Sequence, residues 1–260
     1  MVFRARAALV AVLIGCAILS GHADDLVPTG TLRATFIANN PVQAVTDGKT
    51  GEVRGPAADL GRELARRLGV PFAIKGVPGV QPVIDSVKDG AADIGFVAFD
   101  PVRAAQVDFS QAYSLAQNTY LVLESSPIRS VADVDRPGVR IGVGLNDAGD
   151  YFLTRTLKQA DLKRNAGGSV DAALGMLEAG DIDAYAANRQ RLTTFVARQP
   201  SLRIVPDNFY GVEQAIIVAK GNALLLAAAD RLIEQARASG FIAAAIARAG
   251  LAGVDVAPPR

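Results

Sequence analysis

From Thr31 onward the chain alternates short β-rich runs with amphipathic helical patterns, and glycines punctuate the changeovers. That order predicts α/β units on a mostly parallel sheet. Residues 32–37 read as a strand. Residues 57–68 read as a helix, with Leu60, Leu64 and Leu68 on one stripe and Arg62, Glu63, Arg66 and Arg67 facing water. Gly69 stops it, and 71–74 is the next strand. A helix over 80–89 ends at Gly90, and the apolar run 92–99 is short enough for a buried strand. Asp100-Pro101 then opens another helix.

A second series follows the same logic: strand 139–143, helices 148–159 and 170–178, strand 184–187, helix 191–198 and strand 202–205. A last long helix runs from 224 to 238. No short fixed period repeats, which argues against a solenoid. Two α/β blocks, with extended segments at 118–123 and 214–218, predict two lobes joined by paired strands.

The first residues constrain the compartment. Arg4 and Arg6 precede a run from Ala7 to Leu19 that is apolar apart from Gly15, and Gly21-His22-Ala23 supplies small residues at the cleavage positions. This is a signal-peptide layout, 1–23, with cleavage expected after Ala23 and a periplasmic destination. The run is shorter than the roughly 20 residues that span a bilayer. Leu13-Ile14-Gly15-Cys16 resembles a lipobox, but Ala17-Ile18-Leu19 continues the apolar core past Cys16, so lipid anchoring there is the weaker expectation.

Cys16 is the single cysteine and His22 the single histidine. Cleavage after Ala23 removes both, and with them thiol chemistry, histidine catalysis and soft-metal sites. The formal net charge is +1 and evenly mixed. No basic stripe with interleaved aromatics marks a nucleic-acid partner. Half of the residues are apolar, enough for a sizeable core. No cofactor or metal is expected.

Several runs now identify the relatives. They are Gly30-Thr31-Leu32-Arg33; Ala58-Asp59-Leu60-Gly61-Arg62-Glu63-Leu64-Ala65-Arg66-Arg67-Leu68-Gly69-Val70; Asp89-Gly90-Ala91-Ala92-Asp93-Ile94; Arg103-Ala104-Ala105-Gln106-Val107-Asp108-Phe109-Ser110 with Tyr113; Gly180-Asp181-Ile182-Asp183-Ala184; and Ala219-Lys220-Gly221-Asn222. In this order the chain resembles the family 3 periplasmic solute-binding proteins that serve polar amino-acid ABC transporters. The resemblance implies the type II two-lobed periplasmic binding protein fold, each lobe a mostly parallel sheet flanked by helices, with two hinge strands. Lobe 1 would comprise 24–116 and 212–260, and lobe 2 would comprise 117–211. Ligand would sit between them, enclosed by hinge rotation.

Arg103 is the first candidate for binding. With Asp100 as N-cap and Pro101 at the first helical position, it falls where the helix dipole disfavours a cation, so it needs an anion. The resemblance implies that it holds a ligand carboxylate bidentately. The alternative is a surface arginine paired with Asp100 or Asp108. Hydroxyl residues that accompany this arginine in relatives are replaced by Ala98 and Asp100.

Other departures bear on the solute. The stretch Gly144-Leu145-Asn146-Asp147-Ala148 stands where relatives contact the same carboxylate. Asp147, with Asp150 three residues on, reads first as an N-cap. If it faces the cleft, it favours a cationic or hydroxyl-bearing ligand group, and Asn146 serves either role. Asn188 occupies the place of the aspartate that pairs with an α-ammonium in relatives, and it also suits a helix cap. The loop after the first strand holds Asn40 instead of a stacking aromatic. Phe36, Phe99, Tyr113 and Tyr185 are expected in the core more than on the cleft.

Arg103, Ala98, Asn40, Asn146, Asp147 and Asn188 are therefore the expected ligand-binding residues. The expected function is a monomeric, non-enzymatic receptor that delivers a small carboxylate-bearing molecule to an ABC-transporter permease. A dehydratase-like periplasmic enzyme and a sensory module are the alternatives on the same fold.

Overall fold

The computed structural model describes residues 26–38, 40–165 and 170–259. The expected signal peptide 1–23, with Cys16, lies outside the described residues. The order of elements is β1 (Leu32–Ile37), β2 (Val45–Thr46), β3 (Val53–Arg54), α1 (Pro56–Leu68), β4 (Phe72–Val77), α2 (Val80–Lys88), β5 (Ile94–Ala98), α3 (Pro101–Ala104) and β6 (Asp108–Leu123). Then come β7 (Arg140–Gly144), α4 (Ala148–Thr156), β8 (Asp161–Asn165), α5 (Val170–Glu178), β9 (Ala184–Asn188), α6 (Arg189–Val196), β10 (Leu202–Ile204), β11 (Tyr210–Val218), α7 (Ala223–Ala238), α8 (Phe241–Arg248) and β12 (Val254–Val256).

Local chemistry accounts for these elements. Pro56 opens α1, Asp59 sits in its first turn, and Arg66 and Arg67 lie in its last, each charge complementing the helix dipole. Gly69 ends it at φ 72°, a left-handed cap that side chains with a Cβ disfavour. Leu60 and Leu64 are fully buried beneath it, worth about 1.5–3 kcal/mol each. All five residues of β5 are buried, as its unbroken apolar run requires of a strand covered on both faces.

The main sheet runs in the order β4-β1-β5-β11-β6-β9-β7-β8. Its two ends are parallel triples, β4-β1-β5 and β8-β7-β9. Between them β11 and β6 run antiparallel to each other and to their outer neighbours. The apolar clusters divide in the same way. One set contains Leu60, Phe96, Ile216 and Leu232, with Val83 and Ile217 beside it; the other contains Ile141 and Leu153, with Tyr185 and Leu202 beside it. The two lobes are thus separate packed bodies, and β6 and β11 pass between them where Gln117 faces Gly211 and Asn118 faces Tyr210.

Some expected elements differ. The extended segment at 118–123 is the end of a single 16-residue strand. The helix expected over 148–159 ends at Thr156 because Leu157 turns extended. Asp135 then holds the next stretch away from helix by accepting the amides of Lys158, Gln159 and Ala160. The helix expected over 191–198 spans Arg189–Val196. The β2–β3 hairpin, β8, α8 and β12 were outside the expectation. In β8, Leu162 alternates with exposed charged residues on a strand paired on one side only, a weak sequence signal.

Candidate functional site

The strand ends and helix starts of the two lobes meet at a cleft of about 510 Å³, a size suited to a small ligand. Its lining includes Asn40, Ala98, Arg103, Asn146, Asp147 and Asn188, so all six expected residues come to one place. Asn118, Ala148, Gly149, Arg191 and Gln214 also face it.

Arg103 is set by its local turn. Asp100 accepts from Val102 N at 2.9 Å, which caps α3, and Pro101 starts the turn that delivers Arg103 to the cleft. The residue is only 4% exposed. Nη1 donates to Ala98 O at 2.8 Å and Nη2 to Asn146 O at 3.0 Å. The guanidinium carbon lies 5.4 Å from the Tyr151 ring centroid, within cation–π range. Burial pushes its pKa down, while Tyr151, Asp100 and Asp147 oppose that shift.

The surface-pair alternative for Arg103 is overturned. Asp100 pairs instead with Arg155 at 3.2 Å, and Asp108 with Lys220 at 2.8 Å. Among the described residues Arg103 has no carboxylate within salt-bridge distance. Its fork of five N–H donors keeps three beyond the two bonded to carbonyls. A buried cation in that condition calls for an anion.

On the facing wall, Leu145 N bonds Asn165 O and Asp147 N bonds Gly144 O, which turns the chain sharply into α4. Asn146 takes φ 62°, a left-handed conformation that asparagine tolerates. Asp147 holds the expected N-cap position with Asp150 in the first turn, but its side chain makes no cap bond. Asp150 does the holding instead: Oδ2 accepts from Asn146 N at 3.0 Å, and Oδ1 is bonded by Thr154 and by Arg164.

Asp147 is thereby released toward the cleft, 4.0 Å from Arg191 Nη1. Its side chain is 47% exposed, yet it lies in the cleft between the two walls. Burial raises its pKa, and Arg191 and Arg103 oppose that. Asn188 plays the cap: Oδ1 accepts from Arg191 N at 2.8 Å at the start of α6, while the residue still lines the cleft.

Of the aromatics considered, Phe36, Tyr113 and Tyr185 are fully buried core residues, and Phe99 packs edge-on against Phe109 at 5.2 Å. Sequence reasoning did not single out Arg191, Gln214, Asn118 or Tyr151. A hint existed for Tyr151 and Arg191 alone, since each lies within one turn of an expected helix start. Among the described residues no three His, Cys, Asp or Glu side chains gather to hold a metal ion, and no helix is long and apolar enough to cross a membrane.

The family described as bacterial extracellular solute-binding proteins, family 3, matches residues 33–250. No curated protein matches the chain. Solved structures match over most of their length. One is an amino-acid ABC transporter substrate-binding protein from Streptococcus pneumoniae bound to L-arginine, 22% identical at a TM-score of 0.70, covering 87% of this chain and 97% of that one. Another is an ancestral arginine-binding protein bound to arginine, 25% identical at 0.68, covering 84% and 97%. A third is an ancestral amino-acid-binding protein, a precursor of cyclohexadienyl dehydratase, 23% identical at 0.69, covering 87% and 98%.

Proposed function

We infer that this chain, which belongs to the bacterial extracellular solute-binding proteins of family 3, captures a small carboxylate-bearing solute in its interlobe cleft and delivers it to the permease of an ABC transporter. Delivery would start in the periplasm, after removal of residues 1–23, from a monomer. The lobes would divide as 24–116 with 212–260, and 117–211.

The observation that carries this reading is the buried Arg103 guanidinium, which among the described residues meets backbone carbonyls and no carboxylate. The first amides of α4 lie across the cleft beside it, since Ala148 and Gly149 line the same space. A carboxylate between them would accept charge-assisted bonds from Arg103 and sit at the positive end of the helix dipole. Ala98 and Asn146 position the guanidinium through their carbonyls, and Asn40 and Asn188 offer neutral polar contacts.

An α-ammonium group has a poorer place. Asn188 carries no charge, and the carboxylate of Asp147 already faces Arg191. The reading therefore extends past ordinary amino acids to organic acids and amino-acid derivatives. A dehydratase-like enzyme is the second reading, favoured by the raised pKa of Asp147, the cleft group suited to proton transfer.

A thermal-shift screen against amino acids, dicarboxylates, keto acids and polyamines tests both, because a ligand that binds the folded state alone raises Tm. Hits confined to compounds without a carboxylate would overturn the Arg103 assignment. Turnover of a hit would put the enzyme reading first.

A further inference from the structure

Two buried glutamines form a directional relay that ends in the cleft. Gln43 is 0% exposed and Gln214 is 3% exposed. Ile37 N donates to Gln43 Oε1 at 3.0 Å, which fixes which end of the Gln43 amide is oxygen. Its nitrogen must then face the other way, and Gln43 Nε2 donates to Gln214 Oε1 at 3.2 Å. That bond in turn fixes the Gln214 amide. A backbone N–H thus decides, through two side chains, that Gln214 presents Nε2 and not oxygen to the cleft it lines.

Among the described residues no protein acceptor takes a hydrogen bond from Gln214 Nε2. Ser114 stands opposite Gln214 in the β11–β6 register, and its buried hydroxyl is itself without a partner among the described residues. The register slips between Gln214 and Ala215, with Tyr113 as the additional residue on β6, the kind of irregularity that re-aims a side chain. On its other side Gln214 pairs with Ala98, the residue whose carbonyl receives Arg103 Nη1. The oriented donor and the guanidinium therefore flank one strand position.

We propose that Gln214 is a ligand-contacting residue, its Nε2 donating beside Arg103 to an oxygen of the bound carboxylate. It supplies a neutral donor in a cleft where Ala98 leaves no hydroxyl. Gln43, which does not line the cleft, is a positioning residue that keeps the donor end forward. The proposal rests on the carboxylate reading above and adds a residue to it.

The probes are succinate, pyruvate and L-glutamine, titrated calorimetrically into wild type, Arg103→Met, Gln214→Glu, Gln214→Leu and Gln43→Glu. Gln214→Glu preserves the acceptor for Gln43 Nε2 but turns an oxygen to the cleft, and Gln214→Leu keeps the volume without a donor. Losing a bond to a charged group predicts affinity reduced about 10- to 100-fold in both. Gln43→Glu accepts from Ile37 N and from Gln214 Nε2, reversing the Gln214 amide, and predicts a comparable loss with every cleft-facing residue unchanged. In wild type, the Gln214 side-chain amide resonances, assigned through the backbone, shift when a binding probe is added, whatever the folding of the variants.

If no probe binds wild type, the carboxylate reading fails and this proposal with it. If a probe binds wild type and not Arg103→Met, yet Gln214→Glu or Gln214→Leu holds it within about twofold of wild type, or the Gln214 amide resonances stay fixed, the Gln214 assignment alone is overturned. Wild-type affinity in Gln43→Glu would overturn the relay.

Discussion

Arg155 Nη1 meets Asp100 Oδ2 at 3.2 Å, joining α4 to the turn that carries Arg103. The pair is lopsided: the arginine side chain is 49% exposed and the aspartate 4%. Asp100 already caps α3 through its other oxygen, so the ion pair serves contact between the two walls of the cleft. When the walls part, water can solvate Asp100 again, so the pair weighs on closure more than on folding.

Arg155→Met is accordingly expected to weaken capture of a binding carboxylate by about 3- to 10-fold. The warrant is a pair worth roughly 1 kcal/mol, between an exposed salt bridge and a broken buried one. Melting of the ligand-free protein should move by less than about 2 °C. Calorimetric titration with small-angle scattering checks it. Unchanged affinity and an unchanged radius of gyration would remove the latch role.

Arg103→Met separates binding from stability. The substitution deletes a buried cation that has no carboxylate partner among the described residues, so the melting temperature should stay level or rise. Affinity for a carboxylate should fall about 100-fold, as expected when several charge-assisted bonds are lost together. A folded variant that binds the same carboxylate normally would move the anion site elsewhere.

The extent to which sequence revealed this site follows from how far each determinant reaches along the chain. Arg103 was legible because Asp100, Pro101 and the arginine are contiguous and their roles are those of any capped turn. The N-cap position of Asp147 was legible, but which side chain holds the turn was not, since Asp147 and Asp150 fit the start of α4 equally well as a pattern. Arg164 decides between them, and it lies on β8, a strand whose alternation is too polar to register. Gln214 was invisible for a stronger reason. Its amide is aimed by Gln43, 171 residues earlier, through a register that exists only in the folded sheet. Lobe architecture, by contrast, was plain in the alternating runs and their glycine stops.

Gly142→Ala probes the packing that holds the second wall. Gly142 lies in β7 between β8 and β9, and an added Cβ would stand 2.5 Å from Ile182 Cδ1 and 2.9 Å from Tyr185 Cδ2. Tyr185 is fully buried and Ile182 nearly so, which leaves neither room to retreat. Overpacking of this kind costs about 1–3 kcal/mol, seen as a lower denaturation midpoint at an unchanged m value. A wild-type midpoint would mean that β7 and β9 are less tightly apposed.

Asp147→Asn tests a pH dependence whose sign follows from burial. Desolvation raises the folded pKa of Asp147 above its ordinary 3.8, with Arg191 and Arg103 opposing. Between 3.8 and the raised value the folded state binds more protons than the unfolded state, so this group's contribution falls as pH rises through that window. Below 3.8 the aspartate is protonated in both states and the contribution is fully favourable; above the folded pKa it has been lost. The asparagine variant lacks that loss. Its melting temperature should exceed wild type at neutral pH and converge with it as pH falls below the window. Removing a negative charge from the cleft should also tighten binding of a carboxylate at neutral pH and leave binding of an uncharged compound unaltered. Melting curves from about pH 3 to about 8, from below the ordinary carboxylate range to neutrality, check the first part. A variant less stable than wild type at neutral pH would show that Asp147 is held by its arginine neighbours more strongly than burial opposes it.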